Sequence, residues 1–221
     1  MIPMDVVIPV RDVDDYLGEA IDSALAQEGV AVRVVVVDGG SVEPIVLAPR
    51  HADRGDVRLI RVETPLTAGG GRNVGAAAGS APWLTFLDAD DIWPPSSRRA
   101  LLDACEREDA SLAAGMMTHF HADRAAERIR RPDGEQRALV AGGVILTRTS
   151  WAQVGPFDES LRSGEFIEWY NRFRLLGQPS ASIPDVVLRR RLHVRSTTAN
   201  QVGDRDDYLE VVRRWMNRTD S

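Results

Sequence analysis

Lysine is absent from this chain of 221 residues, and all 27 of its basic residues are arginine. This absence excludes covalent chemistry on a lysine amine and leaves the fork-shaped guanidinium as the strong cationic partner for phosphate groups. The chain has a single cysteine, Cys105, which excludes an internal disulfide and a cysteine-based zinc cluster. Its neighbours Ala100, Leu101 and Ala104 indicate that Cys105 is a small core residue.

Long apolar runs are also missing. No run approaches the roughly 20 residues that a membrane-spanning helix needs, and the first residues lack the basic segment followed by an apolar stretch that is typical of a secretory signal. We therefore expect a cytoplasmic chain without a transmembrane segment, with peripheral membrane contact left open. The net charge of -6 argues against a nucleic-acid partner. The length fits one domain, residues 1–221, with one sizeable core.

Strand and helix patterns alternate along the first 110 residues. Short apolar runs indicate strands, and apolar residues three or four apart indicate helices. The predicted strands span residues 6–8, 34–37, 57–62 and 83–87, and the predicted helices span residues 17–25, 72–78 and 96–106. This alternation predicts an α/β fold with a Rossmann-like, mostly parallel sheet flanked by helices, in which residues 1–110 form the ligand-binding half.

Residues 111–221 are less regular and predict a smaller half. Strands are expected at 111–116 and 140–146, and helices at 165–176 and 207–218. Between the two strands, residues 119–137 are polar and charged and contain a Pro-Asp-Gly turn sequence. We interpret this segment as a mobile loop or lid over the site.

Three carboxylates, Asp88, Asp90 and Asp91, follow the apolar run of residues 83–87. Loops at strand carboxyl ends of open α/β sheets bind ligands. Like charges held this close raise one another's pKa unless a metal or several hydrogen bonds neutralise them. One interpretation is a Mg²⁺ or Mn²⁺ site for a nucleotide diphosphate. The other is a turn followed by a helix N-cap, since aspartate suits both.

A glycine-rich stretch, residues 69–75, opens a predicted helix around Arg72. Glycine lets the backbone approach a ligand closely, and a helix N-terminus offers free N–H groups to an anion. Arg72 adds a cation at this point. A flexible turn is the alternative interpretation, because neither the dinucleotide-binding spacing nor a phosphate-loop lysine is present.

Five motifs in one order resemble those of the family 2 glycosyltransferases of GT-A fold. They are DVVIPV at residues 5–10, YLGEAIDSALAQ at 16–27, VVVD at 35–38, GRNVG at 71–75 and FLDADD at 86–91. Two later stretches, VGPFDE at 154–159 and RLH at 191–193, resemble motifs on the acceptor side of that family. The resemblance covers nearly the whole chain, and several motifs in order are far more specific than one.

The resemblance implies a nucleotide-diphosphate sugar, expected to be a UDP-sugar, bound across the first half. Asp38 would accept a hydrogen bond from the base, Arg72 would face the ribose and diphosphate, and Asp88 would contact the ribose or the sugar. The residues that the resemblance assigns to donor binding are Pro9, Val10, Arg11, Asp38, Gly71, Arg72, Asn73, Asp88 and Ala89.

The same resemblance implies a divalent cation, Mg²⁺ or Mn²⁺. Asp90 would ligate the metal that bridges the two phosphates, and His193 would be a second ligand or a phosphate contact. A metal together with Arg72 would stabilise the charge that develops on the leaving diphosphate without a proton transfer.

The catalytic base is where this chain departs from the family pattern. Family members usually carry Glu-Asp at the start of the late helix, and the aspartate deprotonates the acceptor hydroxyl. Phe166 stands at that position here, which leaves Glu165 and Glu168 as the candidate bases. Glu165 also suits the first turn of a helix, and Glu168 is spaced for an ion pair with Arg172. A second departure is the Gly39-Gly40 pair after the second strand, where the family usually has Asp-Gly.

These features together predict an inverting, metal-dependent glycosyltransferase that moves a sugar from a nucleotide diphosphate to the hydroxyl of an unknown acceptor. A degenerate relative that binds nucleotide sugar without turnover is one alternative, kept open by Phe166. A sugar-phosphate nucleotidyltransferase is the other, although such enzymes generally use a lysine near the phosphates.

Overall fold

The computed structural model describes residues 1–12, 15–129 and 134–193. Its strands are β1 (Ile2–Val10), β2 (Val30–Gly39), β3 (Val57–Val62), β4 (Trp83–Phe86), β5 (Leu112–His121), β6 (Gln136–Arg137), β7 (Val144–Thr147) and β8 (Ser180–Leu192). Its α-helices are α1 (Leu17–Leu25), α2 (Pro49–Ala52), α3 (Ala68–Ala78), α4 (Ser97–Glu108), α5 (Arg148–Val154) and α6 (Glu165–Leu175).

One sheet runs through both halves of the described chain. Strands β3, β2, β1 and β4 lie side by side and are parallel. β7 continues the sheet antiparallel to β4 and β5, and β5 pairs with β6 and, in parallel, with β8. The predicted α/β fold with a mostly parallel sheet is confirmed. The strand order reverses at β1 and β4, and at such a switch point the loops at the carboxyl ends of the strands separate and leave a crevice.

Alternate residues of the central strands serve two apolar layers. Val6 and Ile8 of β1 pack with the α1 side, whereas Val7 packs with the side that contains α3, α5 and α6. This alternation follows from the two-residue period of a strand. Trp169 and Phe173 of α6 are fully buried in the second layer, so α6 is fixed against the sheet beside the crevice.

The glycine-rich helix begins earlier than predicted. α3 begins at Ala68 rather than Arg72, because the Thr67 hydroxyl accepts a hydrogen bond from the Gly70 N–H at 3.1 Å and caps the helix. A side chain at Gly75 would collide with Val7 of β1. The glycines therefore let α3 lie directly on the sheet, and the interpretation of the run as a flexible turn is wrong.

The second half differs from the sequence prediction at two places. The predicted strand 140–146 is a turn of 3₁₀-helix at Ala141–Gly143 followed by β7. The predicted lid, 119–137, is wrong at both ends, because β5 extends to His121 and β6 lies at Gln136–Arg137. A short 3₁₀-helix occupies Ala126–Arg128, and residues 130–133 lie outside the described residues.

Two further predictions concern burial and membranes. Cys105 is buried, and burial raises the pKa of its thiol to about 12, so the predicted core role is confirmed. In the described ranges, no helix combines the length and the apolar character needed to cross a membrane. The predicted helix at 207–218 lies outside the described residues.

Candidate functional site

A cleft of about 880 Å³ opens at the carboxyl ends of β1, β2 and β4. Its lining comes from the ends of these strands, the start of α3, the start of α6 and the end of β8. The lining residues are Pro9, Val10, Arg11, Val37, Gly39, Leu66, Thr67, Ala68, Gly71, Arg72, Asp88, Ala89, Asp90, Leu139, Val140, Ala141, Arg162, Ser163, Gly164, Glu165, Phe166, Ile167, Arg190 and His193. The cleft therefore brings together most of the residues predicted for the site.

Pairing between two distant segments brings the acidic loop to the end of β8. Ile92 and Arg189 exchange backbone hydrogen bonds of 3.1 and 2.9 Å. As a result, Asp90 Oδ2 and His193 Nε2 lie 2.9 Å apart. The two predicted metal ligands are thus neighbours although they stand 103 positions apart in the sequence.

Arg72 of α3 joins the loop after β4 to the start of α6. Its Nη2 donates to Asp88 Oδ1 at 2.5 Å, and its Nη1 donates to Glu165 Oε1. Arg72 is buried, and its Nε has no hydrogen-bond partner among the described residues. Burial raises the pKa of the Asp88 carboxyl, but the positive charges of Arg72 and Arg190 lower it by more, so this pKa lies below its ordinary value. Asp88 therefore stays a carboxylate at neutral pH.

Asp91 lies behind the cleft rather than in it. It is buried, its Oδ1 accepts from the Arg191 backbone N–H at 2.9 Å, and its Oδ2 lies 3.5 Å from Arg190 Nε. Burial and the charges of Asp90 and Asp88 raise the pKa of Asp91 well above its usual range. Three adjacent carboxylates need positive charge nearby, and the guanidinium groups of Arg72 and Arg190 supply part of it.

Arg191 fixes the acidic loop to helix α1. Its Nε donates to the Asp90 backbone carbonyl at 2.9 Å, and its Nη2 donates to Glu19 at 2.6 Å. The guanidinium also lies over the Tyr16 ring, with its central carbon 4.2 Å from the ring centroid. These contacts hold the backbone that carries Asp90.

Asp38, predicted to meet the base, has a different set of contacts. It is fully buried, and its oxygens accept from the backbone N–H groups of Ser41 at 2.9 Å and Ile45 at 3.2 Å and from Arg61 Nη1 at 2.6 Å. The carboxylate thus organises the loop after β2, while the adjacent Gly39 lines the cleft.

Asn73 and Glu168 also lie away from the cleft lining. The Asn73 side chain donates to the Phe157 carbonyl at 3.0 Å and accepts from the Phe157 N–H at 2.9 Å, so it holds the 157–159 turn against α3. Glu168 makes three contacts of 2.9–3.0 Å with Arg172. The ion pair predicted for Glu168 is present, and this pair occupies its carboxylate.

Glu165 and Phe166 both face the cleft from the first turn of α6. Glu165 is buried, and Arg72 holds one of its oxygens. Phe166 is only 4% exposed and stacks on Trp169 and Tyr170, with ring centroids 6.2 Å apart in both pairs. The position at which the sequence resemblance places the base is therefore filled by part of the apolar core.

Several lining residues were not predicted. Arg190 stands beside the predicted His193, and Arg162, Ser163 and Leu139 come from connections with no motif. The two-residue period of a strand could have identified Arg190, because it places Arg190 on the opposite face from Arg189 and Arg191. In the structure Arg189 and Arg191 both contact the Phe120 ring, as this period requires.

The side chains near Asp90 could hold a divalent cation if phosphate oxygens of a bound substrate and water supplied its remaining ligands. Across the described residues, no three His, Cys, Asp or Glu side chains converge to hold a metal ion. Asp90 and His193 offer one oxygen and one nitrogen 2.9 Å apart. Mg²⁺ is typically bound by one or two carboxylates while substrate phosphates and water complete its shell, and Mn²⁺ accepts similar oxygen ligands. The pair fits that pattern.

Comparison with solved structures places this fold in a known class. The S. aureus TarS fragment 1-349, crystallised in complex with UDP-GlcNAc, superposes with a TM-score of 0.78 at 15% sequence identity, covering 97% of this chain and 65% of that one. The fold is therefore that of the GT-A glycosyltransferases. The model of the family described as glycosyl transferase family 2 matches residues 5–157, more than half of the chain. The chain belongs to this family, as the motifs predicted.

Curated relatives are longer than this chain. The succinoglycan biosynthesis protein ExoO of Rhizobium meliloti (strain 1021) is 31% identical over 182 residues, which cover 72% of this chain and 52% of ExoO. The chondroitin synthase of Escherichia coli is 23% identical over 233 residues, covering 97% of this chain and 33% of the synthase. The chain thus spans about half the length of ExoO and a third of the synthase.

Proposed function

We propose that this chain transfers a sugar from a nucleotide diphosphate to an acceptor hydroxyl, with inversion at the anomeric carbon and with Mg²⁺ or Mn²⁺ as cofactor. The observation that carries the proposal is the convergence of Arg72, Asp88, Asp90, Glu165 and His193 on one cleft at the switch point of the sheet. Family membership favours a transferase over a sugar-phosphate nucleotidyltransferase.

The donor would lie across the ends of β1, β2 and β4. Pro9, Val10 and Arg11 would line the base and ribose pocket, and Asp38 would act by holding the loop beside Gly39. A UDP-sugar is the proposed donor. The complexes of S. aureus TarS with UDP-GlcNAc and with UDP support this choice through the shared fold.

The proposed step is a single in-line displacement. The acceptor oxygen forms a bond to the anomeric carbon as the bond from that carbon to the diphosphate oxygen breaks, and the diphosphate leaves with the electron pair. Glu165 would take the proton from the acceptor hydroxyl, as a general base. Asp90 and His193 would hold the cation, which supplies positive charge to the leaving diphosphate when it is bound.

A second candidate function is binding of a nucleotide sugar without turnover. Phe166 favours it, because an aromatic ring stands where the family carries its base and cannot accept a proton. The ion pair between Glu165 and Arg72 favours it as well, since one carboxylate oxygen of the candidate base is already occupied by a buried guanidinium.

An assay of donor hydrolysis separates the two candidates. UDP-glucose, UDP-galactose and UDP-GlcNAc are incubated with the protein in Mn²⁺ or in EDTA, and release of UDP and free sugar is followed by proton NMR. Slow, metal-dependent release of UDP with a first-formed sugar of inverted anomeric configuration supports the transferase. If the protein binds UDP in a metal-dependent way but releases no free sugar from the UDP-sugars over a day, the result supports the binding protein.

The proposal extends to cellular location and domain organisation. We propose a cytoplasmic chain in which one domain is divided into a donor half, 1–110, and an acceptor half, 111–221, with peripheral membrane contact left open. The lining of the cleft supports one domain with two halves, because residues of both halves contribute to it.

A further inference from the structure

The arginines that line the cleft differ in how firmly they are held. Both terminal nitrogens of Arg72 are bound by Asp88 and Glu165. Arg11 donates to the Leu66 carbonyl at 2.9 Å. Arg190 instead has an ion pair of 3.5 Å with Asp91, which is longer than a hydrogen bond of 2.7–3.2 Å. Among the described residues Arg190 is therefore held less firmly than Arg72, and its guanidinium can turn to an anion that enters the cleft.

The position of Arg190 matches the place where phosphate charge would lie. Its side chain is 26% exposed and lines the cleft, with Asp88 and Asp90 close enough to act on its charge. Its strand neighbours point to the other face, where Arg189 and Arg191 both contact the Phe120 ring. A guanidinium presents paired donors that match phosphate oxygens.

Asp91 does not depend on Arg190 alone. Its Oδ1 accepts from the Arg191 backbone N–H at 2.9 Å, a bond that a movement of the Arg190 side chain leaves in place. The guanidinium can therefore turn from Asp91 Oδ2 toward the cleft without leaving the buried carboxylate unbonded.

We propose that Arg190 binds the diphosphate of the donor, moving from Asp91 to the phosphate oxygens, so that part of nucleotide diphosphate binding persists without a divalent cation. This inference rests on the proposed function, because it assumes a diphosphate in the cleft. It assigns to Arg190 a role that none of the sequence motifs covers.

Calorimetry in EDTA and in Mn²⁺ tests the proposal, with inorganic pyrophosphate and UDP as the two probes. Wild type is compared with Arg190→Gln and with the control Arg189→Gln, which removes an exposed arginine outside the cleft lining. In EDTA, Arg190→Gln should weaken binding of both probes by about tenfold or more, the size of a lost charge-assisted hydrogen bond. Arg189→Gln should stay within about twofold of wild type, as expected of a screened surface charge.

Two further variants separate binding from folding. Arg190→Gln combined with Asp91→Asn removes the ion pair as a unit and keeps the net charge, and the amide oxygen of the substituted side chain can still accept from the Arg191 N–H. Arg190→Lys keeps the charge without the fork. We expect the double variant to unfold near the wild-type temperature and to bind pyrophosphate as weakly as Arg190→Gln, and the lysine variant to recover part of the affinity.

The outcomes are distinct. Unchanged pyrophosphate affinity in Arg190→Gln, with a cooperative unfolding transition, overturns the assignment of Arg190. Failure of wild type to bind either probe in EDTA overturns the metal-independent contribution, even if Mn²⁺ restores UDP binding. Binding of pyrophosphate but not of UDP, with loss in Arg190→Gln, overturns the nucleotide donor of the proposed function and supports Arg190.

Discussion

Arg72 connects Glu165 to Asp88, so one buried guanidinium holds both the candidate base and the candidate sugar contact. The two carboxylates come from different elements of the cleft, the loop after β4 and the first turn of α6. Their distance is therefore set by the fork of one side chain. Because an arginine remains charged at any physiological pH, Arg72 attracts both carboxylates throughout that range.

Substitution of the two glutamates tests which of them acts as the base. Glu165→Gln keeps the shape of the side chain but removes its charge, so transfer should fall by about 10²–10⁴-fold while UDP binding stays near wild type. Glu168→Gln should leave the rate nearly unchanged and should lower the unfolding free energy by about 1 kcal/mol at most, because its partner Arg172 is partly exposed. Initial rates with a UDP-sugar and urea unfolding measure both effects.

The opposite result has a clear meaning. If Glu168→Gln slows transfer and Glu165→Gln does not, Arg172 releases Glu168 in the complex and the base is one turn further along α6. If neither variant slows a measurable transfer, another group takes the proton.

The dependence of nucleotide binding on metal should require Asp90. Calorimetry should show that wild type binds UDP more tightly in Mn²⁺ than in EDTA, and that Asp90→Ala loses most of this gain, because His193 alone is a poor site for a hard cation. Asp103→Ala, which removes an exposed carboxylate of α4, is the matched control and should keep the gain. An equal effect of Mn²⁺ on wild type and Asp90→Ala would refute the assignment.

The motifs of the first half predicted the fold and most of the cleft, for a physical reason. Residues 34–37 form a strand because four valines are buried there on both faces, and the apolar residues of 57–62 form the neighbouring strand at the edge of the sheet. Parallel strands with short loops leave few arrangements of the sheet. Asp88 and Asp90 follow β4 directly, so their place at the edge of the sheet is a local property of the chain.

The contacts that decide the chemistry are not local. Nothing near Asp38 in the sequence shows that Arg61, 23 positions later, pairs with it, or that residues 41–45 fold back onto its oxygens. The neutralisation of Asp91 by Arg190 depends on the pairing of Ile92 with Arg189. A motif shows which residue types are present, whereas these partners follow from how distant segments pack.

Phe166 should be required for stability. It is 4% exposed and lies between Trp169 and Tyr170 in the apolar layer. Phe166→Asp, which introduces the residue that the sequence resemblance places here, should lower the unfolding free energy by about 3–5 kcal/mol or more, since it removes a buried ring and buries a charge. Phe166→Leu should cost less, about 1–2 kcal/mol. Urea unfolding at pH 7 measures both, and equal stability of Phe166→Asp and wild type would show that this ring is not part of the core.

The ionisation of Asp38 should make the free energy of unfolding depend on pH in the acidic range. Burial raises the pKa of its carboxyl, but hydrogen bonds from the loop of residues 41–45 and from Arg61 lower it by more, so this pKa lies below the ordinary value of 3.8. A carboxyl whose pKa is lowered in the folded state contributes stability that is complete above its unfolded pKa and is lost as the pH falls through the folded pKa. The contribution of Asp38 should therefore be constant near neutrality, begin to fall below about pH 4, and be lost as the pH falls through the lower pKa of the folded state.

Asp38→Asn isolates this contribution. At pH 7 the variant should be less stable than wild type by about 2 kcal/mol, because hydrogen bonds to a charged group are replaced by neutral ones. The difference should begin to shrink as the pH is lowered from 5 to 3, since the unfolded wild-type chain takes up a proton at Asp38 more readily than the folded protein does. Urea unfolding at each pH gives the difference, and Asp103→Asn on the surface of α4 is the control, with a small difference at every pH. A difference between Asp38→Asn and wild type that stays the same down to pH 3 would show that the charge of Asp38 does not hold this loop.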